Sequence, residues 1–165
     1  METIGNSIKR VDAVAKVTGK AKFPGDFQFT DQLTMKVLFA GRPHAIIHAI
    51  NIEKALAIPG VVTVLTAKDV PNNEYGLSIP DQPVLCGPGS NKEFADRVRF
   101  EGDQVALVVA ENEQIATHAL KAIEVDYEDL PITSTLDEAL SNDAFIIHPD
   151  LGSNVFQHNV VRFGD

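Results

Sequence analysis

Val105 to Ala110 reads VALVVA, six apolar residues in a row, set between the turn-like Glu101-Gly102-Asp103 and the polar Glu111-Asn112. A run of this length with no polar member suits a strand covered on both faces, so the chain must build a sheet with this segment near its centre. The next stretch supplies one cover. In NEQIATHALKAI, Ile115, Ala119, Leu120, Ala122 and Ile123 fall on one helical stripe. Glu113 lies in its first turn and Lys121 in its last, as the helix dipole favours. Alternation then resumes in EVDYEDLP through Val125 and Tyr127, the pattern of a further strand.

The same reading extends to the rest of the chain. Leu33 to Ala40 has a period of two, with Leu33, Met35, Val37 and Phe39 on one side and Thr34, Lys36, Leu38 and Ala40 on the other, a half-buried strand. Gly41-Arg42-Pro43 breaks it before a second strand over Ala45 to Ile50. Asn51 has the chemistry to cap a short helix in which Ile52, Ala55 and Leu56 share a face, and Pro59-Gly60 ends that helix before the strand Val61 to Leu65. Between Ala67 and Arg97 the chain is rich in turn residues, a loop long enough to imply a use. Arg97 to Phe100 alternates. Thr135 to Glu138 is a capping box opening the helix DEAL. Ser7 to Lys22 is a connector with a turn or two of helix around Val11, Val14 and Ala15, stopped by Gly19. The order of elements is α+β, with no internal repeat.

Charge excludes several classes of partner. Fourteen Lys and Arg are scattered among 23 Asp and Glu for a net charge of −9, so neither nucleic acid nor an anionic membrane surface is attracted. There is no stretch of about 18 apolar residues and the first residues lack the apolar core of a signal peptide, which points to a cytoplasmic protein. Cys86 is the single cysteine and can neither form an internal disulfide nor build a zinc site alone.

Residues that could carry chemistry are few. His44 and His48 have the spacing that on a helix would place two imidazoles over one metal. The β-branched Ile46, Ile47 and Ile50, with Pro43 ahead of them, favour a strand, where positions four apart lie about 13 Å from each other against about 6 Å on a helix. Two polar positions on a strand face is the better reading. Cys86 sits in a loop rich in proline and glycine, with no helix start to activate a thiolate. Gly87 to Ser90 lacks the lysine and the strand-to-helix context of a phosphate loop. Glu101, Asp103 and the carboxylates of EVDYEDL lie on turn or alternating segments, where carboxylates are normally solvated. His118 belongs to the strong helix, whereas His148 and His158 lie toward the C-terminus.

One resemblance spans nearly the whole chain. Arg10 and Asp12, Lys16 to Gly19 with Ala21, Phe23 and Asp26 resemble the start of the molybdenum-binding large subunit of the xanthine dehydrogenase and aldehyde oxidase family. The match continues in register through Pro43-His44-Ala45, Ala57 to Val62, Thr66 to Pro71, Asp81-Gln82-Pro83, Val98 to Gly102, Val105 to Glu111, Glu124 to Pro131 and His148-Pro149. Each piece is short, and the ordered set is specific. Two departures fall together: Ile46 stands where the family often has Arg, and Asn51 where it often has Asp.

The resemblance, closest to xanthine dehydrogenase, implies the family's α/β hammerhead domain over residues 1–150. That domain has a mixed β-sheet, two or three short helices and a long irregular loop; residues 151–165 would be an extended tail leading into a molybdopterin-binding region. It implies a scaffold domain, inactive alone, of a parent enzyme that hydroxylates purines or related heteroaromatics or aldehydes with water-derived oxygen. No catalytic, cofactor-binding or metal residue carries over to this chain. Molybdopterin would sit in the rest of the large subunit, with iron–sulfur clusters and FAD in partner subunits or domains. Arg42, Pro43, His44, Gln82 and Gly102 are the candidates for interdomain contact. The competing readings are a stand-alone interaction module with the same fold, or the same domain from an aldehyde, nicotinate or carbon monoxide dehydrogenase.

Overall fold

The computed structural model describes residues 4–77 and 80–164. The chain forms two compact units, residues 1–32 and 33–165. In the first, α1 (Ala13–Val17) is the brief helix expected of the connector. Gly19, at φ +70°, ends it, and the amides of Lys20 and Ala21 both donate to Ala15 O.

Among the described residues, the second unit holds six strands in two sheets. β1 (Thr34–Phe39), β5 (Gln104–Ala110) and β3 (Val61–Thr66) form one in the order β1-β5-β3. β4 (Arg97–Val98), β2 (Ala45–Asn51) and β6 (Glu124–Asp129) form the other in the order β4-β2-β6. VALVVA is the central strand of the first sheet, as its composition requires. Every pairing among these strands is antiparallel, so the expected mixed sheet is in fact two antiparallel ones. Apolar periodicity marks a strand and its buried side but carries no information on its neighbour or direction, which is why the two-sheet arrangement escapes the sequence.

Two helices cover one face of the first sheet. α2 (Glu53–Leu56) starts one residue later than expected, with Ile52 at the cap position, and Asn51 Oδ1 accepts from the Glu53 amide at 3.0 Å from one residue ahead of it. α3 (Glu113–Ala122) is capped by Asn112, whose Oδ1 accepts from the Ile115 amide at 3.0 Å. Ala116 and Ala119 are fully buried, and their small side chains let the helix lie close on the sheet. Between the helices and the sheet, Ala55, Val64, Ala106, Val108, Ala110, Ala116, Ala119 and Ile123 form one core cluster. A second cluster joins Ala40, Ala45, Ile47, Cys86, Val98 and Val105, and Leu38, Ile50 and Val125 pack against both. The two sheets therefore share one continuous interior. Gly60 makes the turn from α2 into β3 at φ +87°, where a Cβ would lie 2.5 Å from Ile115 Cδ1, so only glycine fits.

β1 has the expected alternation as far as the bulge after Leu38, and the side that turns toward the helices is Thr34, Lys36 and Leu38, with Ala40 beyond it in the second cluster. Leu33, Met35 and Phe39 remain exposed at 46%, 63% and 54%. The alternating segment after Arg97 is paired only as far as Val98. α4 (Leu136–Leu140) begins with the expected capping box: Thr135 Oγ1 accepts from the Glu138 amide at 3.2 Å, and Glu138 Oε2 accepts from the Thr135 amide at 3.2 Å. The last described residues, 155 to 164, have no regular secondary structure and are exposed.

Candidate functional site

The histidine pair resolves into two unlike residues. His44 lies one residue ahead of β2 and is 4% exposed, and His48 lies at the irregular pairing between Ile47 and Ala49 with half of its side chain in solvent. Strand spacing alone predicts one shared face for both. The local bulge in β2 and the burial of the residue before the strand separate them, and neither effect leaves a mark on residue spacing. His44 Nδ1 lies 2.6 Å from the carbonyl oxygen of Pro131, which can only accept, so Nδ1 donates. Its Nε2 is buried without a partner among the described residues. The ring packs edge-on against Phe145 with centroids 5.2 Å apart, and His44 O accepts from the Leu130 amide at 3.0 Å. His44 thus braces the start of β2 against the segment after β6 and against residue 145. His48 Nε2 lies 2.8 Å from Glu128 Oε2 at the surface.

The other contact candidates gather around one turn. Gly41 N donates to Glu101 O at 3.0 Å and Ala40 N to Asp103 O at 2.8 Å, which places Arg42 beside the turn that holds Gly102. Arg42 is exposed, donates to Asp129 Oδ2 at 3.1 Å and lies 5.4 Å over the Tyr127 ring. Pro43 is exposed, Gly102 half-buried. Gln82, also exposed, is bridged to Tyr75 by two backbone hydrogen bonds and lines a cleft of about 260 Å³ with Arg99, Phe100, Asp103 and His148. A larger hollow of about 450 Å³ adjoins it, bordered by Lys92, Ile147, His148, Leu151 and Phe156. His148 joins the two. Burial, helped by the nearby Arg99 charge, holds its imidazolium below the ordinary histidine range, with Asp150 and Asp81 opposing.

The remaining candidates serve the framework. Asp103 Oδ2 accepts from the Arg99 amide at 2.6 Å and the Phe100 amide at 3.3 Å, so this carboxylate shapes its own turn. Cys86 is 1% exposed, and burial first, with Asp103 nearby, pushes its thiol up to about 12. Such a group stays protonated and is not a nucleophile near neutral pH. In Gly87 to Ser90, Gly87 N donates to Ala95 O at 2.8 Å, and Ser90 Oγ accepts from Asn73 Nδ2 at 2.8 Å and from the Lys92 amide at 3.1 Å. That local structure is occupied by the loop itself. His118 and His158 are exposed, and Glu124, Asp126, Glu128 and Asp129 line the exposed side of β6.

Asn73 escaped the sequence reading. It is fully buried; its Oδ1 accepts from the Leu85 amide at 2.9 Å and its Nδ2 donates to Leu85 O at 2.9 Å. Asn91 adds a bond from its Nδ2 to Pro71 O at 2.7 Å. One side chain here does what a paired strand would do for the long loop. An asparagine in Pro71-Asn72-Asn73 has ordinary turn composition, and nothing local distinguishes a buried one.

Residues 18–131 match the family described as aldehyde oxidase and xanthine dehydrogenase, a/b hammerhead domain. The chain belongs to that family. It is 43% identical over 157 residues to a probable xanthine dehydrogenase subunit of Bacillus subtilis (strain 168), covering 94% of this chain and 20% of that protein. It is 36% identical over 165 residues to the nicotinate dehydrogenase large molybdopterin subunit of Eubacterium barkeri, covering 99% and 36%. Among solved structures, the aldehyde oxidoreductase from Desulfovibrio desulfuricans ATCC 27774 superposes with a TM-score of 0.75 at 34% identity, covering 88% of this chain and 17% of that one. The chain thus spans about a sixth to about a third of the relatives it matches, as expected of one hammerhead domain within a larger subunit.

No feature of the described residues marks a molybdopterin site in this domain. Among the described residues no group of three or more His, Cys, Asp or Glu is placed to hold a metal. Gly60, Gly87, Gly89 and Gly102 approach side chains of this same chain. His44 Nε2 and Arg97 Nε, buried without a partner among the described residues, line neither cleft. No helix of the described residues is long and apolar enough to cross a membrane.

Proposed function

We propose that this chain is a scaffold domain of a cytoplasmic molybdenum hydroxylase resembling xanthine dehydrogenase. Its parent would hydroxylate purines or related heteroaromatics or aldehydes with oxygen from water. The observation that carries this reading is the family match, whose relatives are oxidoreductase subunits that this chain spans only in part. In such an enzyme the cofactor performs the redox chemistry and the polypeptide holds and orients. Molybdopterin would be bound by the rest of the large subunit, and iron–sulfur and FAD units would pass the electrons on. The hammerhead presents the exposed Arg42, Pro43 and Gln82, with Gly102 beside them, to another domain of the parent. His44 supports that contact from within, since its ring is already committed to Pro131 and Phe145.

Sequencing the gene beyond the codon for Asp165 tests the reading. Several hundred further residues with molybdopterin-binding motifs are expected, and a stop codon at that point would leave the stand-alone interaction module as the better description. The 165-residue chain alone is expected to carry no molybdenum by elemental analysis and to show no hydroxylase activity. Stoichiometric metal in it would overturn the placement of the cofactor elsewhere.

A further inference from the structure

The first sheet has two unlike faces. In antiparallel pairs, residues directly opposite one another share a face. Met35 opposes Val109, which opposes Thr63; Val37 opposes Leu107, which opposes Leu65. The alternate residues, among them Leu38, Val64, Ala106, Val108 and Ala110, fill the core beneath α2 and α3. The two rows through Val109 and Leu107 therefore lie on the opposite face, and Met35, Val37, Leu65, Leu107 and Val109 belong to neither core cluster.

That face has no charge. The chain carries 14 Lys and Arg and 23 Asp and Glu, yet the one charged residue of β1, Lys36, turns to the helical side and pairs with Glu113 at 2.8 Å. A solvated sheet face ordinarily alternates with polar residues. The edge of the same sheet is equally unguarded. β3 pairs only with β5 among the described strands, runs for six residues as VVTVLT, and contains neither a charge nor a proline. The second sheet shows how this protein closes an edge against unwanted pairing: β4 is two residues long, and β6 carries Glu124, Asp126, Glu128 and Asp129.

We infer that the rest of the large subunit covers this face with an apolar, uncharged layer, packing on Met35, Val37, Leu65, Leu107 and Val109 and sheltering the β3 edge. The inference rests on the reading of this chain as part of a longer subunit and names a second contact, separate from the one around Arg42. The occupant follows from length and charge. In the Bacillus subtilis relative the matched region is 20% of the protein, so four-fifths of a homologous polypeptide lies outside it. Two copies of this chain, each at −9, repel one another, and an anionic membrane does likewise.

Met35 reports on the contact directly, because Met1 and Met35 are the only methionines in the 165 residues. The complete subunit, expressed from the reading frame extended past Asp165, is treated with hydrogen peroxide and peptides are followed by mass spectrometry. Met35 is expected to form its sulfoxide at least about tenfold more slowly than a free methionine peptide, since susceptibility follows exposure. Oxidation at the rate of the free peptide, in a subunit that retains molybdenum, overturns the inference while the proposed function stands. Protection that fades on dilution indicates a second copy as the occupant and overturns it too. Met35→Glu is expected to lower the molybdenum content of the purified subunit at least severalfold, with Met35→Leu restoring it and the exposed-helix control His118→Glu leaving it unchanged. Full molybdenum content in Met35→Glu counts against the inference even if the peroxide result is positive.

Discussion

β5 and the described residues of the loop from 67 to 96 meet at Cys86 and Gln104 and are held by opposite means. β5 is paired on both edges, and its inner side chains are apolar and fully buried, so its backbone groups are satisfied by neighbours and its side chains by packing. The loop has little such pairing, and a buried polar side chain, Asn73, satisfies the backbone of Leu85 in place of a partner strand. Both solutions obey the rule that buried polar groups find partners. They differ in how the load is carried: a strand spreads it over a regular ladder, the loop rests it on a few side chains, the buried Asn73 first among them.

That contrast can be broken at either side. Val108→Asp places a carboxylate in the dry layer beneath α3 with no partner, and a loss of roughly 4 kcal/mol or more is expected, a large part of the stability of a domain of this size. Urea unfolding followed by circular dichroism measures it; a loss under about 1 kcal/mol would show that β5 is not the centre of the core. Asn73→Leu keeps the branched skeleton and removes both bonds to Leu85, leaving a buried N–H and a buried C=O unpaired. A loss of about 2–4 kcal/mol is expected, together with faster proteolysis within 67–96 than elsewhere. Uniform proteolysis would mean that the loop is ordered by packing instead. Asn112→Ala removes the α3 cap and should cost about 1 kcal/mol in the same assay, a benchmark for a single exposed hydrogen bond against the buried pair of Asn73.

The smallest effect is one of pH. The folded state holds His148 below its ordinary value, so the unfolded chain binds the extra proton more readily as pH falls below about 6.5. Stability should therefore decline modestly with falling pH between that value and the lower folded one, softened by the partial exposure of the ring. His148→Gln should flatten that part of the profile. An unchanged slope would assign it to other groups.

These differences also explain which parts of the molecule are legible in the sequence. β5 and α3 are legible because each burial pattern is periodic and contiguous, and the family resemblance adds the identity of the fold. The inward side of β1 is not, because alternation shows that a strand has two faces but not which one meets the helices, and here the more apolar face is the outer one. His44 and Asn73 are illegible for a shared reason: each is a polar residue in a turn or strand margin whose burial is decided by segments far along the chain, Pro131 and Phe145 for the one, Leu85 and Ser90 for the other.

Cys86 sits at the junction of loop and strand, with its amide donating to Gln104 O and its thiol sealed in the second core cluster. Its inertness gives the molecule a native clock. No thiol reagent can reach it until the loop lifts from β5, so the rate at which this single sulfur is labelled counts those openings, without an engineered probe and without denaturant.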